Sequence, residues 1–351
     1  MMRRRRRLSL RFGLGTLIAI AALSLFILNS GLEAIFFDVN LGERSRFELQ
    51  EFWVCQLFEW FLGIWIFIVG SCIASFLNVV AYRLPAGMPV TGTSFCPHCR
   101  VPIRPSDNVP VFGWIFLRGR CRACKLSISS RYPIFELVGG LLMMSIYLST
   151  ILGHGANLPW QRHSELDYGM PVNLHFMDEA VFFVAGLHAW LLLFLYGGAL
   201  TSFGNGRLPM KAWVIGPIGI LFAIAIRPEI CLLPIHFDKL QFGLAYFFAI
   251  PSAQALITSC FGGLMAIIAS LLWRTKYDHR GWMMAWLMIG LALGWQATLW
   301  IFLIAAVAKV LQQRLTSQNP YFNAEAPIQF LWLWTGCFLI GWKWLYRFFN
   351  F

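Results

Sequence analysis

Apolar residues fall along this chain in long unbroken runs, not in the short alternations of a soluble protein. Phe12 to Leu32 carries no charge until Glu33. Trp60 to Tyr82, Leu137 to Gly153, Ala180 to Gly206, Ala212 to Ile226, Leu240 to Trp273 and Ala326 to Trp342 are further runs of the same kind. About 20 helical residues at about 1.5 Å each cross the apolar core of a bilayer. Each run therefore predicts a membrane-spanning helix. Ala212 to Ile226 is short, but Lys211 and Arg227 at its ends can snorkel to the interface. Gly281 to Ala308 predicts either one long tilted helix or two short ones broken near Gly294, and Lys309 and Arg314 favour two. The expectation is an all-α polytopic membrane protein of about nine spans, with eight as the lower alternative.

Charge gives the spans a direction. Arg3 to Arg7 and Arg11 precede the first run, and such a basic flank stays in the cytoplasm. A cleaved signal peptide is the rival reading, but no small-x-small site precedes Glu33. The arginine run could also meet anionic membrane lipid. Gly31 to Glu51 holds five acids and is expected outside. Arg83 to Arg131 holds eight Lys/Arg against Asp107, the clearest positive-inside signal in the chain. The loop from His154 to Glu179 is acidic and is expected outside. The resulting division is a basic amino terminus with a first span (1–32), a second span (52–82), a cytoplasmic metal-binding domain (83–136) and a multi-span membrane domain (137–351).

Composition agrees. Hydrophobic residues make up 58% of the 351, and charged residues only 13%, about half the share usual in soluble proteins. A soluble enzyme, a disordered chain, a collagen and a coiled coil are all excluded on that ground. The net charge of +12 sits on loops between apolar runs, so it reads as topology and no nucleic-acid partner is expected.

Of nine cysteines, four stand in two C-x-x-C pairs. Cys96 and Cys99 are separated from Cys121 and Cys124 by 21 residues. Two such knuckles suit four-thiolate tetrahedral zinc, and a reducing cytoplasm keeps the thiols free. Four cysteines leave no open coordination position, so the zinc is expected to be structural. Cys55, Cys72, Cys231, Cys260 and Cys337 lie in or beside apolar runs and are expected to pack.

Around this module the chain resembles the bacterial type IV prepilin peptidases. The resemblance is carried by Ser75-Phe76-Leu77-Asn78-Val79-Val80, Tyr82-Arg83-Leu84-Pro85, the first knuckle and Asp107-Asn108-Val109-Pro110-Val111. It continues through Trp114, Leu117-Arg118-Gly119-Arg120-Cys121, Ile128-Ser129 and Arg131-Tyr132-Pro133 to Glu136-Leu137. In the second half, Leu208-Pro209, Gly290 and Leu293-Gly294-Trp295-Gln296-Ala297 resemble the surroundings of the family's two catalytic motifs. The resemblance implies a membrane-embedded aspartyl endopeptidase of the bacterial inner membrane that removes the basic leader of prepilins. It also implies N-methylation of the new amino terminus with S-adenosylmethionine, and partners among prepilins and pilus or secretion assembly proteins.

That chemistry needs two close carboxyls, one taking a proton from water and the other polarising the carbonyl. Registered on Leu208-Pro209, the first family aspartate falls on Ser202, and the acid after Leu-Pro on Met210. Registered on Gly290 and Gly294, the second falls on Trp282, and the following basic position on Met284. Only sixteen acids exist in the chain, and on the expected topology four are cytoplasmic: Asp107, Glu136, Asp278 and Glu325. Asp278, one helical turn before Trp282, is a possible displaced aspartate. No acid lies between Glu179 and Glu229 to serve as its partner. Ser202 and Asn205 can hydrogen-bond but cannot form an acid/base pair near neutral pH. The expectation is a catalytically degenerate homologue that keeps the scaffold and zinc module. The alternatives are a divergent leader peptidase using Asp278, a methyltransferase, and a transporter or channel with a zinc-knuckle loop. In the last of these, Glu59 and His188 would be the intramembrane ionisable candidates.

Overall fold

The structure, a computed structural model, describes residues 46–152, 179–204, 206–230, 251–272, 279–316 and 328–348. The arginine run and the first expected span lie outside these residues, as do Asn205, Asp278 and Glu325.

Helices dominate, and no β-strand is present among the described residues. They are α1 (Arg46–Arg83), α2 (Phe112–Phe116), α3 (Arg131–Ile146, ending in a wider turn, Tyr147–Leu152), α4 (Glu179–Phe203) and α5 (Met210–Ile226). Then come α6 (Pro251–Leu272), α7 (His279–Thr316) and α8 (Ile328–Phe348). Five stretches are long and apolar enough to cross a membrane: Leu57–Arg83, Arg131–Leu152, Glu179–Phe203, Ser252–Leu271 and His279–Val307. Met210–Ile226 and Leu331–Trp342 are shorter apolar helices. The expected count of eight or nine spans is not reached among these residues. Two apolar runs yield only short helices, and another lies outside the described part.

Two expected boundaries move. The acidic segment before the second span is already helical from Arg46. The third run turns helical at Arg131, six residues before its apolar stretch. In both cases the first turns of a helix can be polar, because water or side chains satisfy them. The ambiguity at Gly281 to Ala308 resolves into two helices joined end to end within α7 across a kink at Gly294, whose φ of 81° and ψ of 177° are not helical. A positive φ comes without strain only to glycine.

Small residues decide how the helices meet. Gly70, Ala74, Gly139 and Gly140 form the crossing of α1 and α3, so close that a methyl group on Gly139 would overlap the Ala74 side chain. Lipid supplies no hydrophobic drive between spans, and close backbone packing replaces it. The α6–α7 contact works the same way at Gly262 and Gly290. Gly290→Ala would place its methyl on the carbonyl oxygen of Gly262. It is expected to destabilise the bundle by about 1–3 kcal/mol, measured as a lowered unfolding temperature in detergent. The core between α4, α5, α7 and α8 is filled by large side chains, among them Leu191, Tyr196, Trp213, Trp286 and Phe338, all fully buried.

Candidate functional site

The two knuckles are the same structure twice, 25 positions apart. In the first, the Arg100 N–H donates to Cys96 O (2.9 Å) and the Cys96 N–H to Val101 O (3.0 Å). In the second, Lys125 donates to Cys121 O (3.0 Å) and Cys121 to Leu126 O (2.9 Å). Each turn closes through a residue of positive φ, Arg100 at 61° and Lys125 at 58°. Each is clamped by one β-bridge, Phe95 to Pro102 and Arg120 to Ser127. The sequence shows this repeat only as two C-x-x-C pairs, because the flanking side chains differ.

The knuckles face each other. The Sγ atoms of Cys96 and Cys124 are 3.9 Å apart, those of Cys99 and Cys121 4.0 Å, and all four lie within 4.8 Å of one another. Tetrahedral zinc with Zn–S of about 2.3 Å needs sulfurs about 3.8 Å apart. No pair is a disulfide. Two of the thiols, Cys121 and Cys124, are shifted in opposite directions. The amides of Cys124 and Ala123 draw Cys121 down to about 7. The Leu126 amide acts the same way on Cys124, but burial and the other three thiols push it up to about 11. All four become thiolates together only if a dication neutralises them. The donor set therefore fits zinc.

Arg83, the last residue of α1, organises the approach to the knuckles. It is 6% exposed, and its guanidinium donates to Thr91 O and Thr93 O, each at 2.8 Å, while lying over the Phe95 ring. One fork thus ties a membrane helix to the loop segment entering Cys96. Arg83→Lys keeps the charge but loses the fork, and Arg83→Ala loses both. The alanine variant is expected to loosen residues 84–95 by roughly 2–4 kcal/mol, read as faster amide hydrogen exchange confined to that stretch.

Two acids brace the module. Asp107 takes a bidentate pair from Arg122, with Nε to Oδ2 at 2.7 Å. That hydrogen bond holds its carboxyl below the ordinary range. A depressed acid stabilises the fold above its unfolded value, and this contribution fades only as pH falls through the lowered one. Glu136, in the second turn of α3, accepts the Val111 N–H at 2.7 Å. Val111 has φ 64° and ψ −55°, and Phe112 N–H reaches Pro110 O at 2.6 Å. This is the strained, positive-φ γ-turn, which a β-branched residue avoids unless held. Glu136 holds it.

Between the module and the ends of α1 and α3 lies a cavity of about 440 Å³. Its walls include Tyr82, Trp114 and Tyr132, the polar Asn78, and the carboxylates of Asp107 and Glu136. Neither the cavity nor the anchoring role of Arg83 is apparent from periodicity or spacing. Their residues stand in the string that carries the family resemblance, which is the one signal that marks them.

The positions registered to the catalytic aspartates lie elsewhere. Ser202 is half-buried in the last turn of α4. The following loop returns to the module, since Gly206 abuts the Pro85 ring. Trp282 is fully buried in the first turn of α7 and meets Trp286 edge-on at 5.7 Å. From residue 180 onward, Glu229 is the only carboxylate residue among the described ones. His188 is buried within α4 and Glu59 within α1.

A polytopic helical membrane protein carrying a four-cysteine zinc-type module is thus defined by its geometry. Residues 68–150 match the family described as Bacterial Peptidase A24 N-terminal domain, and over part of its length the chain is similar to prepilin leader peptidases. It is 43% identical over 108 residues to the Prepilin leader peptidase/N-methyltransferase of Klebsiella pneumoniae, covering 28% of this chain and 46% of that protein. Against that of Dickeya chrysanthemi the identity is 31% over 188 residues, covering 45% and 62%. Against that of Myxococcus xanthus it is 41% over 84 residues, covering 24% and 25%. The chain thus spans between a quarter and three-fifths of the length of these relatives. No solved structure matches it.

Proposed function

We propose that this chain is a prepilin-peptidase-like protein of the bacterial inner membrane that has lost two-aspartate cleavage and keeps its zinc module, on the cytoplasmic side, as a binding element. Its partners are prepilins or the assembly proteins of a pilus or secretion system. The observation that carries this reading is the fully buried Trp282 at the position registered to a catalytic aspartate. A reacting water and a peptide bond need room and a carboxylate there, and the indole supplies neither. The amino-terminal half, by contrast, keeps the family's residues in order from Ser75 to Leu137.

The reading is tested by binding. The full chain in detergent, loaded with zinc, should retain a prepilin that still carries its leader, and Cys121→Ser should release it. Equal retention by both proteins would remove the module from recognition, and retention by neither would remove the partner. Reporter fusions after residue 40 and after residue 110 should fall on opposite sides of the membrane. Both on one side would overturn the cytoplasmic placement.

A second reading, that methyl transfer survives without cleavage, is favoured by the 440 Å³ cavity. The residues there suit S-adenosylmethionine. Tyr82, Trp114 and Tyr132 offer aromatic faces for a base, and Asp107 and Glu136 offer carboxylates for cationic or hydroxyl groups. The cofactor would supply an electrophilic methyl group. Calorimetric titration of the zinc-loaded chain with S-adenosylmethionine should show saturable binding that Trp114→Ala weakens. No heat of binding would discard this reading.

A further inference from the structure

The zinc module exposes a compact apolar wedge. Three of the five residues of α2 are open to the surroundings: Phe112 (52%), Ile115 (52%) and Phe116 (75%). The Phe112 and Phe116 rings stack at 6.2 Å, and Val109 extends the patch. Arg118 and Arg120 follow directly, both exposed. The turn between wedge and arginines is fixed. The Arg118 N–H donates to Ile115 O (2.9 Å), and Gly119, with φ 66°, sits against the Trp114 ring. Trp114 is pinned from the other side by its Nε1–H on Ile128 O (3.1 Å).

The depth of the wedge follows from one hydrogen bond. Val111, the residue just before α2, donates its N–H to Glu136. Glu136 is the sixth residue of a helix that is apolar and long enough to cross a membrane. The start of α2 is therefore held at the edge of a membrane helix's apolar stretch, not out in the aqueous loop. Aromatic rings at that level face the boundary between headgroups and acyl chains, where such side chains concentrate. The charge next to them has one sign. Asp107 is the single acid between Arg83 and Arg131, against eight Lys/Arg, and it is paired with Arg122.

We propose that α2 is a membrane-interface anchor, with Phe112, Ile115 and Phe116 inserted at the lipid boundary and Arg118 and Arg120 on the headgroups of anionic phospholipids. The anchor holds the module down on the bilayer from its far side, while Arg83 and Arg131 hold it at the helix ends. It is a property of the chain whether or not any peptide is cleaved or methylated.

A prepilin helix could also occupy an apolar wedge, but the single-signed charge beside it favours an anionic lipid surface.

The test places the photo-reactive analogue benzoylphenylalanine at Phe116 in the full chain. At 75% exposure the site should accept the ring without unfolding, and retained zinc verifies the module. The protein is reconstituted in nanodiscs of phosphatidylcholine alone, or of an equal mixture with phosphatidylglycerol, and irradiated. Lipid adducts at residue 116 are expected in both, with a higher yield in the anionic discs. Arg118→Glu with Arg120→Glu should reduce the anionic excess several-fold. Absence of lipid adducts would overturn the anchor. Adducts formed only with added prepilin, on the peptide, would replace it with a docking site for protein. Equal yields in the two lipid compositions would overturn the role of the two arginines.

Discussion

Stripping zinc from the purified chain is expected to unfold residues 84–130 and leave the membrane helices standing. The reason is the near absence of any other core in the module. Among its residues, Cys96 is the one buried hydrophobic side chain, while Val101, Val109, Phe112, Ile115, Phe116 and Leu126 are exposed. What remains without metal is chiefly the Arg83 fork, the Asp107–Arg122 pair, the Glu136 contact, the Trp114–Ile128 hydrogen bond and the two β-bridges. Those are a few kcal/mol against the ordering cost of more than forty residues. Structural zinc in comparable small sites contributes about 10–16 kcal/mol of apparent binding energy at neutral pH. Elemental analysis should find zinc in equimolar amount with the chain. Cys121→Ser should lower zinc affinity by at least about a hundredfold, and limited proteolysis should then cut within 84–130 while sparing the buried body of α4 and α7. A module that resists proteolysis after chelation would show that the metal is not what holds it.

How far the sequence could be read depended on which kind of physics was involved. Apolar runs announced α1, α3, α4, α6 and α7, because burial in lipid needs nothing but composition and length. Their ends were less legible. Arg131 starts α3 well before the apolar stretch, and its Nη2 reaches Phe203 O at 3.5 Å, a tertiary contact with no local signature. The break in α7 was visible as a glycine, but its backbone angles were not. The four-cysteine cluster was the most legible feature of all, since C-x-x-C spacing encodes its geometry directly. The cavity was not, because Tyr82, Trp114 and Glu136 come from three separate segments and meet only in the fold.

Glu136 shows the difference well. In the sequence it is an acid at the edge of an apolar run, matched to the family and given no role there. In the structure its carboxylate holds the Val111 amide in a conformation that the valine side chain disfavours. A strained turn maintained by a residue of another element marks a place where the fold overdetermines the backbone. Here the device fixes the height of α2 relative to α3. The same contact positions one wall of the cavity and the exposed wedge.

The chain is expected to leave a prepilin leader uncleaved, at less than about a thousandth of the rate of a peptidase with both carboxyls, since removal of acid–base partners forfeits that much or more. Ser202 cannot replace an ionised carboxylate. Trp282 goes further, because it occupies volume with no exposed surface and an aromatic partner at 5.7 Å. Restoring the aspartates is therefore not a simple reversal. Ser202→Asp is a change at a half-buried helix end and is expected to be tolerated. Trp282→Asp removes a buried indole, which costs about 3–5 kcal/mol as truncation alone. It also places a carboxylate where no basic residue is registered, Met284 standing at the family's basic position. The double variant is expected to fold poorly and to remain inactive, whereas Ser202→Asp alone should fold and remain inactive. Asp278 decides the matter independently. Incubation of the purified chain in lipid with a prepilin, followed by mass analysis of the substrate, should detect no leader release from the parent protein or from Asp278→Asn. Efficient release that Asp278→Asn abolishes would move the catalytic centre to a carboxylate four positions before Trp282 in sequence. Release that survives the change would require a chemistry without the carboxyl pair.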